Sequence, residues 1–203
     1  MQFAKEEIRQ RIMEAARAEF MGKGFRDASI RSITAKARTS KSNLYNYFAD
    51  KDALFRAVLD PVLTDIEKGL AAAMAFNAGK PSPGYSYDTQ KEYIRIVMEY
   101  VYAHVDDIKL LLFQAGGSSL ENYKDKVIEG FAGVLADWMK RSAPRQVSRF
   151  FLRCVAGFYL NAIEGMLAGG VAPAQAAGHF DEFMAFVYGG WSAVLQINNE
   201  ERS

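Results

Sequence analysis

Apolar residues recur at helical spacing through most of this chain, and few segments show the period-two alternation of strands. From residue 4 to 22, Ile8, Ile12, Ala15, Ala16 and Phe20 share one face, a 3.6-residue period. Gly22 and Gly24 end this helix, with Lys23 near its C-terminal dipole. Ser29 then reads as an N-cap, followed by a short helix from Ile30 to Ala37 with Ile30, Ile33 and Ala37 turned inward. Ser40 is a second N-cap and opens another short helix, Lys41 to Tyr47, with Leu44 and Phe48 on its buried side. Two short helices joined by a tight turn form the helix-turn-helix pattern. Asp50 caps a long helix running from Lys51 into the 70s. Pro61 inside it removes a hydrogen bond or kinks it.

The run from Asn77 to Gly84 is the strongest break in the chain. Five further helices follow, over 88–104, 106–115, 119–142, 145–169 and 173–197. Their breaks are Val105-Asp106, Gly116-Gly117-Ser118, Ala143-Pro144 and Gly169-Gly170. The expected fold class is all-α, with about nine helices. The last two helices are apolar on more than one face. In the final one, Phe180, Met184, Val187, Trp191 and Leu195 form one stripe, and Phe186, Gly190, Ala193 and Ile197 another. In the preceding one, Phe151, Val155, Phe158 and Ala162 form one, and Leu152, Ala156, Leu160, Ile163 and Leu167 the second. Two stripes imply burial on two sides. Either a partner subunit covers the second side, which makes Leu160, Ile163, Leu167, Phe186, Gly190, Ala193 and Ile197 the candidate dimer interface, or these are central helices of a monomer.

The chain has 203 residues, 50% of them apolar, enough for a substantial core. Cys154 is the single cysteine, so no intrachain disulfide forms, which fits a reducing cytosol. The first residues mix acids and bases without a signal-type apolar core, and no 18-residue apolar stretch lacks charge. A cytoplasmic protein with no membrane partner is expected. The net charge of +1 conceals an asymmetry: residues 1–60 hold 12 Lys/Arg against 8 Asp/Glu, and residues 61–203 hold 13 against 16. A basic first third suggests a polyanion partner at one end, although charge also fluctuates along any chain. An enzyme is the rival class. His104 near Asp106 and Asp107 resembles a base with an orienter, but Cys154, Ser118 and Ser119 are distant nucleophiles and none sits in a catalytic motif. No phosphate-cradling glycine motif and no spaced His/Cys cluster occurs, and His179 is the only other histidine. No enzyme activity, cofactor or metal is expected.

The segment from Gly24-Phe25 to Leu59 resembles the DNA-binding domain of TetR-type regulators. The matching elements are Gly24-Phe25, Ser29-Ile30-Arg31, Ile33, Ala37, Ser40, Leu44-Tyr45, Tyr47-Phe48, Lys51 and Leu54-Phe55, in ungapped spacing. The resemblance covers residues 6–66 and implies a three-helix DNA-binding domain there, with the helix-turn-helix at 29–48. Residues 67–203 then form a helical ligand-sensing and dimerisation domain. In the turn, where the family usually places Gly followed by Val, this chain has Arg38 and Thr39. A positive φ favours Gly there and costs Arg about 1 kcal/mol. Either the backbone deviates, or Arg38 accepts the strain and gains a phosphate contact.

The second short helix is the right size for a major groove about 12 Å wide. Lys41, Ser42 and Asn43 occupy its first turn, and Asn46 lies one turn further along the exposed face. Asn pairs bidentately with adenine, and Lys with guanine. The resemblance implies that Tyr47 and Lys51 contact backbone phosphates, as do Ser29 and Ser40, which are caps first. Arg31 is a groove or phosphate residue, and Tyr45 is packed or DNA-facing. Lys36 solvates a helix end.

The architecture of the family also implies dimerisation and a small-molecule cavity in the larger half. Tyr100, His104, Gln114, Asn161 and Glu164 are polar groups in apolar runs, and Phe113, Trp138 and Phe158 are candidate walls of an adaptable pocket. Each is equally readable as ordinary core with a satisfied polar tip. The expected function is a homodimeric repressor that binds a palindromic operator and is released by a small-molecule inducer. A DNA-binding dimer without ligand control is the alternative.

Overall fold

A computed structural model describes residues 2–77, 87–142 and 146–200. The described residues are all-helical: α1 (Gln2–Asp27), α2 (Ile30–Lys36), α3 (Lys41–Tyr45), α4 (Lys51–Asn77), α5 (Tyr87–Ala103), α6 (Val105–Phe113), α7 (Tyr123–Ser142), α8 (Arg149–Ala168) and α9 (Pro173–Glu200). The expected breaks at Asn77–Gly84 and Ala143-Pro144 fall on residues 78–86 and 143–145, outside the described residues.

The chain divides into two compact units, residues 1–66 with 106–124, and residues 67–105 with 125–203. The pattern of the sequence groups 106–124 with the larger half, whereas its side chains pack into the first unit. In that unit Ile12, Ala16, Phe20, Ile33, Leu44, Leu54, Phe55, Leu59 and Leu110 are fully buried. Phe20, Phe25 and Phe55 form a ring cluster, with Phe20 edge-on to Phe55 at 4.9 Å and Phe25 tilted on Phe55 at 5.1 Å. Each such side chain contributes about 2 kcal/mol by leaving water.

The regular run of α1 stops at Gly24, whose φ of 72° and ψ of 173° suit glycine alone. A Cβ there would also sit 3.4 Å from the Gln114 carbonyl oxygen. That carbonyl accepts from the Phe25 N–H at 2.8 Å. The Gln114 side-chain amide, in the orientation that satisfies both its ends, donates to the carbonyls of Phe20 and Met21 at 2.9 and 3.2 Å. Gln114 therefore caps the end of α1, which takes it away from the ligand site expected of it. Arg17 meets the buried Asp107 at 2.6 Å. Asp107 thus belongs to an ion pair between α1 and α6, with no part in a His104 dyad. α7 begins at Tyr123, later than the expected 119, because the preceding residues fold into turns. Gly117 has φ of 84°, and the Ser119 N–H and hydroxyl both donate to the Asp52 carboxylate at 2.7 Å.

The second unit has its own core: Ile94, Met98, Ile128, Ala132 and Met139, with Leu152, Ala156, Tyr159 and Met166 of α8 and Phe180, Met184, Val187 and Trp191 of α9. Rings carry the packing through its centre, Trp138 and Phe151 edge-on to Trp191 at 6.0 and 5.6 Å, and Phe131 edge-on to Tyr159 at 5.5 Å. Burial pushes the Tyr159 hydroxyl up to about 12. α5 and α9 are joined by Lys91 and Asp181 at 3.0 Å. α8 is long and apolar enough to cross a membrane by length and composition, yet Leu152, Ala156, Tyr159, Met166 and Leu167 are buried within the unit. α8 begins at Arg149, later than the expected 145, and is capped by Ser148, whose hydroxyl accepts from the Phe151 N–H at 3.1 Å.

Candidate nucleic-acid interface

The first unit sets α2 and α3 at its surface. Both Ser29 and Ser40 occupy N-cap positions, but they differ. The Ser40 hydroxyl accepts from the Asn43 N–H at 3.0 Å. The Ser29 side chain makes no capping bond, which corrects the expectation from its residue type. Asp50 caps α4, its carboxylate accepting from the Ala53 N–H at 2.7 Å.

Between α2 and α3 the chain turns in a Schellman motif. The Thr39 N–H donates to the Thr34 carbonyl at 3.0 Å and the Arg38 N–H to that of Ala35 at 3.2 Å. This pattern places Arg38 at φ 50°, the only positive φ on a non-glycine among the described residues. The backbone keeps the turn that glycine normally makes, and arginine adopts it.

Leu44 is fully buried and Phe48 nearly so, which anchors α3 from below. Its other face is open: Lys41, Ser42, Tyr45 and Asn46 are exposed, as is Arg31 of α2. Asn43 and Tyr47 are partly exposed. The Asn43 amide donates to the Thr39 hydroxyl at 2.8 Å, and the Asn43 side-chain carbonyl is 3.5 Å from the Asn46 amide. The Lys41 ammonium lies 5.8 Å from the centre of the Tyr45 ring.

The basic side chains around this face divide into two groups. Lys23 and Lys36 both donate to the buried carboxylate of Glu19 at 2.8 Å, and the Ser32 hydroxyl does so at 2.7 Å. Those bonds, Lys23 foremost, hold the Glu19 carboxyl well below the usual carboxylate range despite its burial. Lys36, read from sequence as a solvated end, is a strut between α2 and α1. Lys51 donates to the carbonyls of Arg26 and Ala28, both at 3.2 Å, and lies 4.5 Å over the Phe25 ring. Arg31, Arg38 and Lys41, in contrast, make no ion pair with any described residue. Arg31, Arg38 and Lys41 thus leave positive charge without an ionic partner among the described residues on the two short helices and their turn. Sequence reasoning missed Glu19. Its i,i+4 spacing to Lys23 was the one available sign.

The residues expected to line a ligand pocket divide between the two units. Phe113 and Gln114 belong to the first unit, and Tyr100, His104, Trp138, Phe158, Asn161 and Glu164 to the second. His104 is exposed in the turn between α5 and α6, with its ring 4.4 Å from that of Tyr100. Asn161 is exposed and Glu164 half-buried. Phe158 is 44% exposed. It packs on Phe183 at 4.7 Å and Phe186 at 6.0 Å. On the candidate dimer face, Phe186 is 71% exposed, and Gly190 and Ala193 are exposed. Leu160 and Ile163 are half-buried. Leu167 is buried inside the protomer and is core, because the turn of α8 that carries it also carries Met166 inward. The side chain of Ile197 lies outside the described residues.

The family model for bacterial regulatory proteins of the tetR family matches residues 12–58. An HTH-type transcriptional repressor of Streptomyces coelicolor is 31% identical over 109 residues, 54% of this chain and 50% of that protein. The HTH-type transcriptional regulator UidR of Escherichia coli K12 is 38% identical over 71 residues, 35% of each chain. The matches therefore span half or less of these relatives. Among solved structures, a TetR-like transcriptional regulator from Rhodococcus sp. RHA1 superposes with a TM-score of 0.63 at 22% identity, over 91% of this chain and 96% of that one. NalD, the secondary repressor of the MexAB-OprM multidrug efflux pump in Pseudomonas aeruginosa, does so with a TM-score of 0.66 at 17% identity, over 89% and 96%. The two structures share the fold over nearly the whole chain, and the sequence relatives and the family model share the helix-turn-helix. Residues 12–58 thus match the family model of tetR-type bacterial regulatory proteins, and the chain shares the fold of TetR-like transcriptional regulators.

Proposed function

We propose that this protein is a cytoplasmic, DNA-binding transcriptional regulator that represses from a pseudo-palindromic operator as a homodimer and is released by a small-molecule inducer. One observation carries the reading: Arg31, Arg38 and Lys41 are exposed and make no ion pair with any described residue on the two short helices and the turn between them, the same face that presents Ser42 and Asn46. Phosphate contacts from the cations and Tyr47 position the unit, and Lys41, Asn43 and Asn46 read base edges. Lys51 offers its remaining N–H and its charge to phosphate. A second copy covers the exposed Phe158, Phe186, Gly190 and Ala193, an apolar patch costly to leave in water. The effector binds in the second unit, whose buried Met98, Met139, Met166 and Met184 give it an adaptable core.

Two half-sites one helical turn apart, about 34–36 Å, require one spacing of the recognition helices. An effector that prefers another conformation lowers operator affinity by its differential binding energy. α4, which contributes residues to both units, is the connecting lever. A gel shift with DNA from upstream of the encoding gene tests the reading. Retardation by the protein, reduced at least tenfold by joint Lys41→Ala and Asn43→Ala substitution, is expected. Equal retardation by the doubly substituted protein would overturn it.

A further inference from the structure

We propose that Arg38 is a DNA-phosphate contact, held at the interface by a turn that works against it. The inference rests on the DNA-binding reading above and deepens it, singling out Arg38 among its exposed cations as a contact that costs the fold stability. The Schellman bonds from Thr39 and Arg38 fix a left-handed residue at the C′ position of α2, and Arg38 has φ 50° there. Glycine makes this conformation freely, whereas any Cβ crowds the following carbonyl. Arginine therefore loses stability at this position relative to glycine.

The protein gains no compensating internal interaction. Arg38 is exposed, and its guanidinium makes no hydrogen bond or ion pair with a described residue. Lys23, Lys36 and Lys51 show the contrast, since each of them donates to a neighbouring carboxylate or carbonyl. Packing and internal charge thus leave Arg38 unexplained, and strain without internal return marks functional positions. The side chain leaves the backbone two residues before Ser40, the cap of α3, and three before Lys41, so it shares their exposed turn. A guanidinium fork there matches a phosphate bidentately, and it remains charged at every working pH.

The test compares the unchanged protein with Arg38→Gly and Arg38→Lys, each titrated against a fluorescent mixed-sequence duplex at several salt concentrations and unfolded in urea. Arg38→Gly is expected to unfold at a higher urea midpoint, yet bind the duplex several-fold more weakly. Its plot of log affinity against log salt should be shallower by about 0.9, one phosphate contact. Arg38→Lys, which keeps the charge and the strain, should keep the slope. Arg38→Gly binding with unchanged affinity and slope would overturn the inference and leave the DNA-binding reading standing. A loss of affinity with unchanged slope would also overturn it, since the effect would then be structural. Failure of the unchanged protein to bind any duplex would remove the DNA-binding reading itself, and this inference with it.

Discussion

Glu19 places a carboxylate among apolar side chains, and its three side-chain partners explain why it stays ionised. Lys23, Lys36 and Ser32 hold its proton affinity below the ordinary value of 4.5. The unfolded chain therefore takes up a proton at a pH where the folded one does not. The stability from ionised Glu19 is complete above about pH 4.5 and drains away as pH falls below it. Unfolding free energies from urea titration of the unchanged protein and Glu19→Gln should differ by about 1–3 kcal/mol at pH 7, a range kept modest because both lysine ends are half exposed. The gap should narrow toward pH 3, and a constant gap would contradict the assignment. Lys51 carries a second expectation. Its ammonium closes the chain end after α1, so Lys51→Ala should lower unfolding stability by about 1 kcal/mol as well as flatten the salt dependence of DNA binding. Unchanged thermal unfolding would show that the two carbonyl bonds count for little. The residues differ in how legible they were. Gly24, Ser40 and Asp50 announce themselves locally, because caps and helix ends are made by neighbours in sequence. The partners of Glu19 and Lys51 did not, because Lys36 and Arg26 are 17 and 25 residues away from them respectively.

At the scale of elements, periodicity located the helices and left open which apolar stripe faces which way. In α9 the stripe of Phe180, Met184, Val187 and Trp191 is buried, and Phe186 stands out in solvent. In α8 the stripe of Leu152, Ala156 and Leu167 is the buried one, completed by Tyr159 and Met166, and Phe158 faces out toward Phe186. A helical wheel gives both stripes equal standing, and only packing chooses between them. The choice has a testable consequence. Phe186 touches little of its own protomer, so Phe186→Glu should leave the helical circular dichroism spectrum intact while shifting sedimentation from dimer to monomer. A variant that sediments as a dimer at the same concentration would remove this face from the interface. Element boundaries moved where side chains compete for backbone groups. The start of α7 is delayed to Tyr123 because the Ser119 N–H is bonded to Asp52, 67 residues earlier.

For the whole molecule, sequence showed an all-helical chain and its helix-turn-helix, since both rest on short-range spacing. The allocation of 106–124 to the first unit was hidden, because Arg17–Asp107, Phe25–Gln114 and Asp52–Ser119 are all long-range pairs. The placing of Phe113 and Gln114 in the first unit was hidden for the same reason, since polarity within apolar runs does not say which unit a residue joins. The central claim remains that residues 29–48 read duplex DNA in pairs. Hydroxyl-radical footprinting on DNA from upstream of the encoding gene tests it most directly. The account predicts two protected patches related by a dyad, their centres about one helical turn or a multiple of it apart, both lost on Lys41→Ala with Asn43→Ala. Protection of a single unpaired patch, or a footprint that survives those substitutions, would contradict it.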